Sequence, residues 1–329
     1  MTRQNGADGT DGLEAGVIGV GSMGAHHTRV YSELPGVSLA GVTDIDREQA
    51  TSVASQYGTR ALSRAELLER VDVVSVAVPT AYHFDVAMEC IDAGVDVLVE
   101  KPLVEDIDRG RALARQARNA GVTLQVGHIE RFNPAVRVLE DIVPDLDIVA
   151  VDIQRLGPPI DRAVTDSVVY DLMVHDIDLL LTLLDAEITE LSATAATDQH
   201  VSAQLSFDDG SIGELTASRL TQQKIRTLSI TARECRVNAD FIGQSVEIHR
   251  QSLPEYVEQN GDVHYRHESL VERPVVESGN PLKQELQAFI DAATNGTEPA
   301  VTAEDGLRVI EVADRIERAA LGSKREIPQ

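Results

Sequence analysis

Up to Gly127 the chain alternates between short apolar runs and amphipathic stretches of helical length. Val17, Ile18 and Val20 make the first run, and Val37–Val42, Val71–Val78, Asp96–Val99 and Thr123–Val126 follow. Between them, Ala25–Leu34, Asp46–Tyr57, Tyr82–Ala93 and Asp106–Ala120 read as helices. Boundary residues agree. Ser63 and Glu66 have capping-box spacing, Thr80 stands where a cap for the Tyr82 helix is expected, and Gly94 and Gly121 end helices. Strands buried on both faces read as continuous apolar runs, so this alternation predicts a parallel, doubly wound sheet. Ligands of such sheets sit outside the carboxyl ends of the strands. Pro79-Thr80, Glu100-Lys101-Pro102 and Gly127-His128 fall there and are expected to line one crevice.

From about residue 128 the period changes. Ile148–Leu156 reads as a strand and Val169–Leu184 as a helix. Period-two runs then follow at Leu191–Thr197, Val201–Phe207, Ser211–Ser218, Thr227–Thr231 and Ser245–His249, with Asp208-Asp209-Gly210 as a hairpin turn. Sequential short strands of this kind predict an open, mostly antiparallel sheet in an α+β domain. Gln251–Asn280 is polar and irregular and is expected to be a long hairpin or excursion, and Pro281–Asn295 and Thr302–Gly322 close the chain as helices. The expected division is a disordered tail over residues 1–14, a first domain over 15–127 and a second over 128–329.

The first apolar run leads into Gly19, Gly21 and Gly24, spaced G-x-G-x-x-G, and then into a helix. The first glycine permits a tight turn, the second lets backbone approach a pyrophosphate, and the third lets helix and strand pack closely. The helix start, with Ser22 and Met23, presents free N–H groups to phosphate. Asp44 closes the second apolar run, about 20 residues further on, where an acid binds the ribose hydroxyls and repels a 2′-phosphate. This is a Rossmann pattern, and it selects NAD as cofactor.

Composition narrows the setting. No apolar run in the 329 residues approaches a membrane span, and the polar start lacks a signal-peptide pattern. Cys90 and Cys235 are far apart and belong to no C-x-x-C, which argues against a disulfide framework or a cysteine metal site. A cytoplasmic protein without bound metal is expected. The net charge is -25, from 54 acids against 29 bases, and Lys101, Lys224, Lys283 and Lys324 are the only lysines. Such a surface opposes nucleic-acid binding and is similar to that of proteins from salt-loving organisms.

A second constellation is Tyr170-Asp-Leu-Met-Val-His-Asp-Ile-Asp178. On a helix, Asp171, His175 and Asp178 would share one face. A histidine beside an acid is a buried structural pair, a metal site or a base oriented by a carboxylate. Metal is the weakest of the three, since no other His or Cys is near in sequence.

Taken together, Gly19–Gly24, Asp44, Pro79 with His83, Glu100-Lys101-Pro102 and Asp171-Leu-Met-Val-His175 resemble the Gfo/Idh/MocA family of sugar and cyclitol oxidoreductases along nearly the whole chain. The resemblance implies a Rossmann domain followed by an open-sheet domain that binds substrate and mediates oligomerisation, as a homodimer or homotetramer. It also implies that Lys101, Asp171 and His175 meet across the crevice as catalytic and substrate-binding residues. Pro79, Thr80, His83, Glu100 and Lys101 join the cofactor contacts. The chemistry is coherent: His175 suits a general base, Lys101 stabilises a developing alkoxide, and Asp171 orients the histidine or a substrate hydroxyl. Gly127-His-Ile-Glu-Arg-Phe-Asn-Pro134 and Val174–Asp178 resemble the branch that oxidises C3 of UDP-linked N-acetylhexosamines. Under that branch, Arg131, Arg155 and Arg162 are candidates for a diphosphate, and Asn133 either contacts substrate or cofactor or caps a helix before Pro134. A dehydrogenase of an unactivated sugar or inositol is the alternative. A non-catalytic NAD-sensing regulator on the same fold is the second.

The charge excess carries its own test. If surplus negative charge opposes folding, screening stabilises the chain, because the Debye length falls from about 10 Å at 0.1 M salt to about 3 Å at 1 M. The thermal unfolding midpoint is therefore expected to rise steeply with KCl, and a flat response from low to molar salt contradicts the halophilic reading.

Overall fold

In the computed structural model the described residues are 12–159, 167–251, 255–259, 262–266 and 268–322. They fall into two compact units. One comprises residues up to Gly127 together with Leu282–Glu304, and the other His128–Pro281 with the chain from Asp305 on.

The first unit is a five-stranded parallel sheet. Its strands are β1 (Leu13–Ile18), β2 (Val37–Thr43), β3 (Val73–Val76), β4 (Asp96–Glu100) and β5 (Leu124–Gly127), in the order β2-β1-β3-β4-β5. Helices α1 (Ser22–Glu33), α2 (Arg47–Gln56), α3 (Arg64–Leu68), α4 (His83–Asp92) and α5 (Ile107–Ala120) connect them. β3 is buried throughout, as its apolar run requires. Caps set the helix starts: Asp46 accepts from Glu48 and Gln49 N–H, Asp106 from Arg109 N–H, and Ser63 with Glu66 completes a capping box. The strand order reverses between β1 and β3, which places a ligand crevice at their carboxyl ends.

Three expectations need correction here. Leu13 and Glu14 belong to β1, so the predicted tail of 1–14 is too long; residues 1–11 lie outside the described residues. Thr80 does not cap α4. A 3-10 turn over Thr80–Tyr82 intervenes, and the helix begins after Tyr82 without a side-chain cap. Residues 282–304, expected in the second domain, cluster with the first. Helix α8 (Pro281–Asn295) buries Leu286 and Phe289, Gln125 Nε2 donates to Glu285 O at 3.4 Å, and Val126 N–H donates to Val301 O at 3.1 Å. An amphipathic pattern shows that a helix buries one face, but not which sheet it covers.

The second unit holds α6 (Pro134–Ile142), β6 (Ile148–Leu156), α7 (Val174–Leu183) and a further run of strands. These are β7 (Ile188–Thr197), β8 (His200–Phe207), β9 (Ile212–Ser218), β10 (Ile225–Ala232), β11 (Arg236–Asp240), β12 (Ser245–Gln251), β13 (Glu255–Gln259), β14 (Asp262–Arg266) and β15 (Ser269–Glu272). Seven of these join β6 in one eight-stranded sheet in the order β15-β12-β11-β10-β6-β9-β8-β7, antiparallel except for the parallel pair β6–β9. β13 and β14 pair as a separate hairpin within the stretch 251–280, where a hairpin or excursion was expected. Alternate positions such as Val151, Ile153, Leu228, Ile230, Leu215 and Val237 are buried in one core with α7 and with α9 (Ala303–Leu321). No described helix is long and apolar enough to cross a membrane.

Candidate active site

The glycine loop follows β1 directly. Gly19 has φ +86°, and its N–H donates to Thr43 O at 2.8 Å, which ties the turn to the end of β2. A β carbon at Gly24 would stand 1.8 Å from Gly19 O, so only glycine lets α1 begin there. At Gly21 a β carbon would meet nothing within 4 Å: the space over the loop is open on this side. Gly21 is the N-cap of α1 and supplies no side-chain acceptor to the first turn, and that turn holds no acid. Its N–H groups are therefore presented outward, as a pyrophosphate requires. Asp44 completes the cradle. One carboxylate oxygen accepts Val20 N–H at 2.7 Å and the other accepts Asp46 N–H at 2.9 Å. Both bonds fix the carboxylate beside the loop and leave lone pairs for ribose hydroxyls. These residues fit NAD.

Beneath the ends of β3 and β4 runs a buried polar chain. Tyr31 Oη lies 2.8 Å from Ser75 Oγ, Ser75 Oγ 3.0 Å from His27 Nδ1, and His27 Nε2 2.8 Å from Glu100 Oε1. The other Glu100 oxygen accepts Lys101 N–H at 3.3 Å. Burial raises the Glu100 carboxyl pKa, but the hydrogen bond and charge of His27, with the Lys101 ammonium, outweigh it and hold the group below its ordinary value. A β carbon at Gly127 would press on Glu100 at 3.1 Å. Glu100, expected among the cofactor contacts, is thus turned inward and bonded within the fold. His83, also named as a cofactor contact, is 1% exposed, with Nδ1 2.8 Å from Pro102 O and Nε2 2.8 Å from Val78 O. It braces the loop after β4 against the end of β3. Pro79 and Thr80 lie at the β3 end, and half-buried Lys101 follows β4 immediately.

In the second unit, Asp171 lies in a π-helical turn over Val169–Met173 that leads into α7, which carries His175 and Asp178. π-turns of this kind often mark functional positions. Asp171 pairs with Arg219, which lies just beyond the end of β9. His175 is half-buried, and its ring meets His128 edge-on, centroids 6.5 Å apart at 87°. Asp178, wholly buried, takes a bidentate grip from Arg131, with Nε 2.9 Å from Oδ2 and Nη2 2.6 Å from Oδ1. Arg131 also reaches Asp305 at 3.4 Å.

Other arginines expected to meet a diphosphate are committed elsewhere. Arg155 is 4% exposed, donating from Nε to Asp176 Oδ1 at 2.8 Å and from Nη1 to Glu130 Oε1 at 2.7 Å. Burial would raise the Glu130 carboxyl, and Arg155 more than offsets it; at Asp176 burial wins and the carboxyl is raised. Asn133 accepts Ala135 N–H at 3.1 Å as the N-cap of α6 and donates to Phe241 O at 3.1 Å. Arg131 and Arg155, named as diphosphate candidates, both clamp carboxylates of α7 here. Arg162 lies outside the described residues. Sequence reasoning missed His27 and Ser75, which lie behind Glu100 in the first unit, and Arg219, which pairs with Asp171 in the second; each is an isolated residue brought to its partner by tertiary packing. It also missed Glu130 and Asp176, although these flank Arg131 and His175 within the two motifs it singled out. Among the described residues no three His, Cys, Asp or Glu side chains gather as a metal site.

Comparison with known proteins agrees with this geometry. Residues 13–128 match the family described as GFO_IDH_MocA, oxidoreductase family, NAD-binding Rossmann fold, and residues 152–238 match the GFO/IDH/MocA C-terminal domain. The UDP-N-acetylglucosamine 3-dehydrogenase of Acidithiobacillus ferrooxidans is 34% identical over 248 residues, 73% of this chain and 77% of that protein. Its solved structure superposes at TM-score 0.84 with 30% identity, covering 94% of this chain and 98% of that one. The inositol 2-dehydrogenase of Rhizobium meliloti is 26% identical over 335 residues, 95% of this chain and 98% of that protein. GenD2 from gentamicin A biosynthesis, solved with NAD, shares the fold at TM-score 0.79 and 23% identity over 98% of each chain.

Two predictions follow from the geometry. NAD is expected to bind at least about tenfold more tightly than NADP, roughly the worth of one hydrogen bond to a charged group. Asp44→Ala narrows that gap, and equal affinities in the unaltered protein contradict the role of the acid. Arg155→Ala strands two carboxylates in the interior, a change that costs about 3–5 kcal/mol in buried pairs. Urea unfolding measures it, and a loss below 1 kcal/mol, well under that range, means the clamp is not essential.

Proposed function

We propose that this chain, which belongs to the GFO/IDH/MocA family of NAD-binding oxidoreductases, oxidises C3 of UDP-N-acetylglucosamine or a closely related UDP-hexosamine. It is an NAD-dependent dehydrogenase, and the assignment to a nucleotide-linked sugar is our reading. The observation that carries it is the likeness to a UDP-N-acetylglucosamine 3-dehydrogenase, 34% identical over 73% of this chain and with TM-score 0.84 in its solved structure, while inositol 2-dehydrogenases reach 26% and 30% over 95% and 92% of the chain.

Bound NAD supplies the hydride acceptor. The chain's own residues have the remaining work of holding the sugar hydroxyl and taking its proton. We assign His175 as the base, since imidazole is the side chain whose ordinary chemistry suits general-base work and its ring is seated against His128. Asp171 is fixed by Arg219 and is assigned to orient His175 or a neighbouring hydroxyl. Lys101 is assigned to the developing alkoxide, where an ammonium lowers the cost of negative charge. Its backbone is held by Glu100, whose carboxylate is in turn held by His27. The 26% likeness to inositol 2-dehydrogenase over nearly the whole chain keeps an unactivated cyclitol or sugar as the second reading.

His175→Ala is expected to lower kcat by roughly 10²–10⁴-fold while NAD binding stays near normal. Unchanged kcat would make Asp171 and His175 a packed pair only. Following NADH absorbance with UDP-sugars, free sugars and inositols tests the substrate. Faster turnover of inositol or glucose than of any UDP-sugar overturns the nucleotide-sugar reading and leaves the dehydrogenase standing. No NADH with any of them points to a regulator.

A further inference from the structure

Three arginines gather at one end of the eight-stranded sheet, and they are not equivalent. β10, β6 and β9 are neighbours. Arg226 near the start of β10 lies directly opposite Arg155 near the end of β6, and Arg155 is level with Ala217 of β9, two residues before Arg219. Side chains opposite each other on antiparallel strands share a face, and like charges there repel. Arg155 meets this with Glu130 and Asp176, and Arg219 pairs with Asp171.

Among the described residues Arg226 has no such counter-ion, and its hydrogen bonds both leave Nη1 for carbonyl oxygens, Leu156 O at 2.7 Å and Ile225 O at 2.8 Å. Carbonyl dipoles aim a guanidinium but do not neutralise it. The residue is half-buried, and burial, followed by the repulsion of Arg155, lowers its hold on its proton. Asp171, Asp176 and Glu130 lie within electrostatic reach, yet each already faces another arginine. Three cations and three carboxylates balance, so no net field draws an anion here. What distinguishes Arg226 is a fixed guanidinium with N–H groups still to give, close to Asp171.

We propose that Arg226 is the specificity-determining residue for the anionic part of the substrate, donating to phosphate oxygens of a sugar-linked diphosphate. The proposal rests on the nucleotide-sugar reading above. The planar fork suits a phosphate, and its charge-assisted bonds are the strong kind. In a chain of net charge -25 an anionic substrate is repelled at long range, so local recognition must come from a group of this kind.

The test uses the full-length enzyme with Arg226→Gln and Arg226→Lys. Steady-state kinetics with UDP-N-acetylglucosamine, calorimetric titration with UDP, and thermal melts are read together. Arg226→Gln is expected to raise both KM and the UDP Kd by roughly 10- to 100-fold, the range for one lost hydrogen bond to a charged group, with the loss falling on KM rather than kcat. Arg226→Lys recovers part of the UDP affinity. If the Gln variant melts early, the Lys variant decides, since it keeps the charge and loses the fork. If the unaltered enzyme oxidises UDP-N-acetylglucosamine but the variants keep its KM and UDP Kd, the role of Arg226 is overturned and the substrate reading stands. If the unaltered enzyme binds no UDP, both fall.

Discussion

At Gly24 a β carbon would stand 1.8 Å from the carbonyl oxygen of Gly19, and the first unit is built on that forbidden distance. Because the position has no side chain, α1 can start directly over the end of β1. Because α1 starts there, its uncapped first turn and the open space over Gly21 face the same place. Asp44 then bonds back to Val20 and turns a steric allowance into a fixed binding edge. The NAD-binding character of this dehydrogenase therefore follows from close packing first and from charge second.

The second unit is organised by buried charge. Arg131 and Arg155 hold Asp178 and Asp176, residues that flank His175 on α7. Taking such ions out of water is expensive and contributes little net stability. What the pairs supply is position: α7 cannot slide or rotate without stranding a carboxylate in the core. His175 and Asp171 are displayed from a helix clamped in this way, with Arg219 as the partner of Asp171. The polar chain from Tyr31 through Ser75 and His27 to Glu100 does similar work beside Lys101. In both units the residues proposed for chemistry rest on a layer of fully engaged polar groups, the arrangement that holds reacting groups in place.

The sequence by itself determined the periodicities, and with them the parallel sheet, the later antiparallel one, the glycine turn, Asp44 and the Asp-x-x-x-His segment. Each is a local matter: apolar runs, helix caps and glycine spacing act between residues close along the chain. Only the tertiary structure decided which charged side chains are available. Arg155 and Arg226 are alike as sequence. The fold buries one between two carboxylates and, among the described residues, bonds the other to carbonyl oxygens. The same holds for His83, whose ring bridges two carbonyl oxygens, and for residues 282–304, a helix pattern whose partner sheet lies far back in the chain. Ion pairing and burial depend on neighbours brought together by strand order, and a linear pattern carries no record of those neighbours.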